Sequence, residues 1–159
     1  MIKILFICHG NICRSPMAEF VLRDMVQKQG LGDQFHIASA ATSSEETGNP
    51  VHPGTTRKLR ELGISTAGKY AVQMAKKDYK NYDHIIAMET RNIRNIHRII
   101  GADPEHKVQR LLDFSDSPRD IADPWYTGNF ERTYDDVREG CEALLTYILE
   151  RDGGRMGKR

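Results

Sequence analysis

Residues 1–26 read MIKILFICHGNICRSPMAEFVLRDMV, and the stretch from Cys8 to Pro16 decides how the rest of the chain is interpreted. The run before it is short, apolar and rich in β-branched residues, which predicts a buried parallel strand over residues 2–8. The run after it has the pattern of an amphipathic helix from Met17 to about Gln29. A tight polar loop between a strand and a helix directs its backbone N–H groups toward one point, and the helix N-terminus adds partial positive charge. We therefore expect an anion site in this loop.

The side chains of the loop favour phosphate as the anion. Arg14 offers a planar fork that matches two phosphate oxygens. Gly10 allows close backbone approach, and Asn11 tolerates the left-handed conformation that a tight cradle needs. We expect Ser15 to hydrogen-bond a neighbouring sulfur, or to cap the helix with Pro16 at its first position.

The loop also carries a thiol, six residues before its arginine. A helix N-terminus and Arg14 both favour the thiolate form of Cys8. A thiolate beneath a bound phosphate predicts nucleophilic phosphoryl transfer through a phosphocysteine. The alternative is an ordinary strand-to-helix turn with two buried cysteines, because a bare Cys-x5-Arg spacing is common by chance.

The chain resembles the low-molecular-weight protein tyrosine phosphatases over about residues 1–150. The resemblance is carried by the loop from Cys8 to Pro16 and by four further segments, which are Ser39-Ala40-Ala41, Gly48-Asn49-Pro50, Ile86-Ala87-Met88-Glu89 and Asp123-Pro124-Trp125-Tyr126. It implies hydrolysis of phosphotyrosine in proteins, with Cys8 as nucleophile, Arg14 as phosphate ligand and Asp123 as general acid and then base. It also implies a sheet of four strands.

Asp123 is also a candidate on chemical grounds. It follows the last predicted strand, Pro124 stiffens its loop, and apolar walls of Trp125 and Tyr126 would favour the protonated acid. The alternatives are a plain turn carboxylate before proline and aromatic residues that belong to the core. Spacing alone also leaves three competing aspartates, Asp113, Asp116 and Asp120.

The remaining pattern alternates strands with helices. Further strands are predicted at residues 34–39, 84–88 and 108–112, and further helices at 55–62, 76–79, 90–100 and 131–151, with a polar loop at 113–130. This alternation predicts a single α/β domain over residues 1–152, with a parallel sheet covered by helices on both faces and its ligand beyond the carboxyl ends of the strands. Residues 153–159 are expected to form a flexible basic tail.

Composition excludes several classes of protein. The chain has 159 residues and a net charge of +1, which argues against a nucleic-acid partner. The sequence has no apolar run long enough for a membrane span and no signal-peptide pattern. Three cysteines do not make a secreted disulfide framework, so we expect a reduced, cytoplasmic setting. The histidines show no metal-ligand spacing, and we predict no metal or other cofactor.

Several loop residues bear on substrate preference and regulation. Many family members carry an aromatic residue where Glu45 stands, and an acid there would repel acidic residues flanking a phosphotyrosine. Family members that act on phosphoarginine carry threonine in place of Ile12, which favours phosphotyrosine here. His9 is expected at the rim of the site. Cys13 is expected either to form a protective disulfide with Cys8, as the resemblance implies, or only to pack beneath the loop.

Two other functions remain open from the sequence. An arsenate reductase on the same scaffold would need resolving thiols, and the middle of the chain has no extra cysteine pair. A non-catalytic phosphate-binding module would need no nucleophile or acid, yet candidates for both are present.

Overall fold

Four parallel strands form the centre of the structure, a computed structural model that describes residues 1–152. They are β1 (Ile2–Cys8), β2 (Phe35–Ala41), β3 (His84–Ala87) and β4 (Val108–Arg110). The strand order is β2-β1-β3-β4, and every pairing is parallel. The parallel four-stranded sheet predicted from the sequence is confirmed. The tail predicted at 153–159 lies outside the described residues.

Six α-helices accompany the sheet in the described part of the chain. They are α1 (Arg14–Lys28), α2 (Pro53–Arg60), α3 (Asp78–Asn81), α4 (Thr90–Ile100), α5 (Pro124–Thr127) and α6 (Phe130–Asp152). Phe6 of β1 packs in one core layer with residues of α1 and α6, and Ile7 packs in the other layer with residues of α4. Alternate residues of β1 therefore serve opposite faces, which explains why this strand is apolar almost throughout.

The strand order places the end of β1 at a switch point. β1 pairs with β2 on one side and β3 on the other, so the connections that leave these strands diverge at this position. Cys8 is the last residue of β1 and pairs with Ala41 at the end of β2. The loop that begins at Cys8 thus opens into the crevice where parallel sheets bind their ligands.

The first helix begins earlier than predicted. It starts at Arg14 rather than Met17, and the residue before it, Cys13, makes no side-chain cap. The prediction that Ser15 caps the helix is therefore wrong, because the Ser15 hydroxyl lies inside the first turn and contacts Cys8 and Asn11 instead.

Strand β4 and the loop that follows it also differ from the prediction. β4 ends at Arg110 rather than residue 112, because the Asp113 carboxylate accepts from the Arg110 backbone N–H and closes a 3₁₀ turn over Leu111–Phe114. The polar loop predicted at 113–130 contains helix α5, which Asp123 caps by accepting from the Trp125 N–H. The strand predicted at 2–8 and the helix predicted at 90–100 have the observed bounds, and the other predicted elements differ by one or two residues at their ends.

Candidate active site

A cleft of about 190 Å³ lies at the carboxyl end of β1. It is lined by the cysteine loop, the loop after β2 and helix α5, through Cys8, His9, Gly10, Ile12, Cys13, Arg14, Glu45, Glu46, Asp123, Trp125 and Tyr126. A wider groove of about 620 Å³ beside α1 and β2 contains neither Cys8 nor Arg14. The smaller cleft is therefore the candidate active site, and it brings together most of the residues predicted from the sequence.

Cys8 lies at the base of this cleft and is 3% exposed. Its Sγ accepts from the Asn11 backbone N–H at 3.3 Å and lies 3.0 Å from the Ser15 hydroxyl. Asn11 has φ 60°, the left-handed conformation predicted for it. This turn is what brings the Asn11 N–H back over the sulfur.

Asn11 and Ser15 lie beneath the cleft rather than on its wall. The Asn11 amide Nδ2 donates to the Ser15 Oγ at 2.8 Å and to the Ser39 Oγ at 2.9 Å, and the Ser39 hydroxyl donates to the buried Glu19 carboxylate at 2.5 Å. Because Ser15 accepts from Asn11, its own proton remains available to the Cys8 sulfur. Asn11 and Ser15, two residues of the predicted phosphate cradle, thus stabilise the position of the Cys8 sulfur from below.

Arg14 is 1% exposed and is held by three groups at the base of the cleft. Its Nη1 contacts the Glu89 carboxylate at 2.5 Å and donates to the Ile121 carbonyl at 2.9 Å, while its Nη2 lies 3.3 Å from Asp123 Oδ2. Burial opposes the charged form, but the Cys8 sulfur, Asp123 and Glu89 outweigh it and raise the pKa of Arg14 above its usual value. The guanidinium is a fixed positive charge beside the sulfur.

Asp123 lies at the end of the loop that follows β4, as the sequence predicts, and its carboxylate reaches the same cleft. One oxygen accepts from the Trp125 N–H at 3.0 Å, and the other contacts Arg14. Its competitors are placed elsewhere, since Asp113 and Asp120 bind Arg110, and Asp116 does not line the cleft. Trp125 and Tyr126 are 58% and 80% exposed, so the alternative that they belong to the core is wrong.

Cys13 differs from Cys8 although both lie in one loop. Burial, followed by the nearby Cys8 and Asp123, raises the pKa of Cys13 to about 12. Its side chain lines the cleft and also packs with Ile12 and Ala71. Cys13 is therefore a protonated thiol at neutral pH.

Three residues that position Arg14 and Asn11 were not predicted from the sequence. Glu89 follows β3 and binds Arg14, Ser39 lies in β2, and Glu19 lies one turn after Ser15 on α1. Glu89 and Ser39 belong to segments that carried the family resemblance. Glu89 could have been predicted as a site residue from its position directly after a predicted strand, because the carboxyl ends of parallel strands lie at the edge of the sheet where ligands bind.

Among residues 1–152, no group of three or more His, Cys, Asp or Glu side chains is arranged to hold a metal ion. Within the same range, no helix is long and apolar enough to cross a membrane.

Known proteins resemble this chain over nearly its whole length. A phosphatase of Bacillus subtilis, the low molecular weight protein-tyrosine-phosphatase YfkJ, is 43% identical over 150 residues, which cover 93% of this chain and 96% of YfkJ. The phosphatase PtpA of Staphylococcus epidermidis is 36% identical over 94% of this chain and 96% of its own length. The crystal structure of YfkJ superimposes with a TM-score of 0.91 and covers 95% and 96% of the two chains. That of the Streptococcus pyogenes phosphatase gives a TM-score of 0.85 at 36% identity and covers 98% of each chain.

The fold and these relatives place the protein in the class of protein tyrosine phosphatases. The family model for the low molecular weight phosphotyrosine protein phosphatases matches residues 3–153, and the chain belongs to that family. The resemblance recognised in the sequence is therefore confirmed. Of the three functions left open by the sequence, the phosphatase is the one that the comparisons support.

Proposed function

We propose that this phosphatase hydrolyses phosphotyrosine in proteins through a phosphocysteine formed on Cys8. The observation that supports this most directly is the shared cleft, in which the Cys8 sulfur, the Arg14 guanidinium and the Asp123 carboxylate converge. The sulfur attacks phosphorus while the bond from phosphorus to the tyrosyl oxygen breaks. Arg14 binds two phosphate oxygens and stabilises the charge of the transition state, and loop N–H groups assist it.

Asp123 supplies the proton that the leaving oxygen needs. In the second half of the reaction it takes a proton from water, whose oxygen attacks phosphorus as the bond to sulfur breaks. Phosphate leaves, and Cys8 returns as a thiolate that the Ser15 hydroxyl and the Asn11 N–H stabilise. Arg14 and the loop N–H groups balance the phosphate charge, so the proposed steps use no metal or other cofactor.

The walls of the cleft contact the substrate beyond its phosphate. Ile12, Trp125 and Tyr126 supply the apolar contacts for the phenyl ring, while His9, Gly10 and Glu45 form the rim. A reduced compartment such as the cytoplasm suits this chemistry, because an oxidised Cys8 cannot attack phosphorus.

Hydrolysis of aryl phosphates in the presence of EDTA tests the assigned roles. Wild type should be active, Cys8→Ser inactive, and Asp123→Ala slower by about 10²–10⁴-fold. The loss in Asp123→Ala should be larger for phenyl phosphate than for p-nitrophenyl phosphate, because the more basic phenolate depends more on the donated proton. Asp116→Ala, an exposed aspartate outside the cleft, is the matched control and should behave like wild type. Equal losses in Asp116→Ala and Asp123→Ala would contradict the role of Asp123.

A further inference from the structure

A side-chain hydrogen bond crosses from the cysteine loop to the loop after β2 at the rim of the cleft. His9 Nε2 lies 3.0 Å from Glu45 Oε2, and the two side chains are 49% and 72% exposed. Both residues line the cleft above Cys8. A substrate that reaches the sulfur must therefore pass a charged group at this part of the rim.

The backbone holds Glu45 in this position. The Thr42 and Ser43 N–H groups each donate at 3.0 Å, to the carbonyls of Cys8 and His9 respectively. The Glu45 N–H donates to the Ser43 Oγ at 3.0 Å, which closes a tight turn. Backbone hydrogen bonds thus join the loop after β2 to the cysteine loop. They fix the backbone of Glu45 at the rim, so its side chain starts from a defined position beside the cleft.

Glu46 adds a second carboxylate beside the first. Its Cγ lies only 3.2 Å from the point where a Cβ on Gly10 would stand, so the stem of Glu46 packs on the bare backbone of the cradle. One of its oxygens lies 3.4 Å from the Asn49 amide, and the residue lines the cleft. Gly10 is the residue that lets this acid approach so closely.

The part of the rim that Glu45 and Glu46 form is acidic. The cation within the cleft is Arg14, which is buried and bound to Glu89 and Asp123. Arg91 lines an adjoining cavity that shares His9, Arg14 and Asp123 with the cleft but is not lined by Glu45 or Glu46. The acidic lip, defined here as Glu45 and Glu46, has His9 as its hydrogen-bond partner in the cleft wall.

We propose that the acidic lip selects phosphotyrosine that is flanked by lysine or arginine. The inference rests on the proposed function, since it requires the phosphate to occupy the cradle above Cys8. A peptide with its phosphate there passes its neighbouring side chains over Glu45 and Glu46. Lysine or arginine beside the phosphotyrosine forms an exposed ion pair with a carboxylate of the lip, whereas aspartate or glutamate there is repelled by it. An exposed pair changes affinity by about 1.4- to fivefold, so two carboxylates give a preference of roughly two- to 25-fold.

Three phosphotyrosyl peptides of equal length test the proposal, with lysine, glutamine or glutamate on both sides of the phosphotyrosine. For each enzyme, kcat/KM on a peptide is divided by kcat/KM on p-nitrophenyl phosphate, which has no flanking residues. Wild type should prefer lysine to glutamine to glutamate. Glu45→Gln with Glu46→Gln should remove most of the preference, and Glu45→Lys with Glu46→Lys should reverse it. Glu142→Gln, an exposed glutamate of α6 outside the cleft, should retain it.

Salt gives an independent measurement on the same peptides. The preference should fall several-fold between about 0.02 and 0.5 M NaCl, because exposed charges are screened. Equal use of the three peptides by wild type would overturn the proposal, as would an unchanged preference in the double variant. Failure of the proposed function is a different result, in which wild type hydrolyses neither p-nitrophenyl phosphate nor any peptide.

Discussion

At the scale of single residues, the two loop cysteines show how position determines the reactivity of one chemical group. Cys8 contacts a backbone N–H and a hydroxyl and lies beside Arg14, whereas burial and neighbouring negative charge keep Cys13 protonated. An oxidant such as hydrogen peroxide therefore reacts first at Cys8. We expect the Cys8 sulfenic acid then to condense with the Cys13 thiol to a disulfide, with release of water.

This difference predicts how the enzyme responds to peroxide. Wild type should lose two hydrogens by intact mass and recover most of its activity with dithiothreitol. Cys13→Ala should instead gain oxygen at Cys8 and recover much less, because no second thiol intercepts the sulfenic acid. Cys141→Ala is the matched control, since Cys141 is buried in α6 away from the cleft, and it should behave like wild type. Full recovery in Cys13→Ala would show that Cys13 only packs beneath the loop.

At the scale of secondary structure, the junction of β3 and α4 stabilises the phosphate ligand. Glu89 is the N-cap residue of α4; its backbone N–H donates to Asn92 Oδ1 at 3.1 Å, and its carboxylate binds Arg14. The residue at the start of the helix thus also fixes the position of the guanidinium.

The two roles of Glu89 separate in a pair of variants. Glu89→Gln loses the charge that holds Arg14, so kcat/KM should fall about tenfold with little change in the free energy of unfolding. Asn92→Ala removes the side-chain oxygen that accepts from the Met88 and Glu89 N–H groups, so unfolding should become easier by at least ~1 kcal/mol. Denaturant unfolding and aryl phosphate kinetics measure the two effects. Equal stability of the two variants would contradict the capping role.

Glu89 also shows where prediction from the sequence stops. The cysteine loop was predictable because its strand, turn and helix are adjacent in the chain, and local pattern shows each of them. Glu89 and Ser39 reach the same site through the pairing of β1 with β3 and β2. The pairing of strands depends on the packing of the whole sheet, and no local sequence pattern specifies that pairing. The helix start was mispredicted for a related reason, because the Ser15 hydroxyl is used by Cys8 and Asn11, which are themselves positioned by the turn.

At the scale of the whole molecule, the site concentrates buried charge where the sheet ends. Arg14 is among the largest fully buried side chains, and it draws Glu89 and Asp123 from two other segments of the chain. A buried charge is tolerated only when it is well paired. An oxyanion in the cleft adds a further partner to Arg14 and should therefore stabilise the entire fold.

Inorganic phosphate should accordingly raise the melting temperature of the protein. At a hundred times its dissociation constant, a ligand that binds only the folded state adds about 2.7 kcal/mol, which corresponds to a shift on the order of 5–10 °C for a chain of this size. Cys8→Ser should retain the shift, because binding needs no nucleophile. Arg14→Lys should lose most of it, because an ammonium lacks the fork that grips two oxygens. Arg138→Lys, an exposed arginine of α6, is the matched control, and NaCl should hold the ionic strength constant. A full shift in Arg14→Lys would mean that phosphate stabilises the protein at some other place.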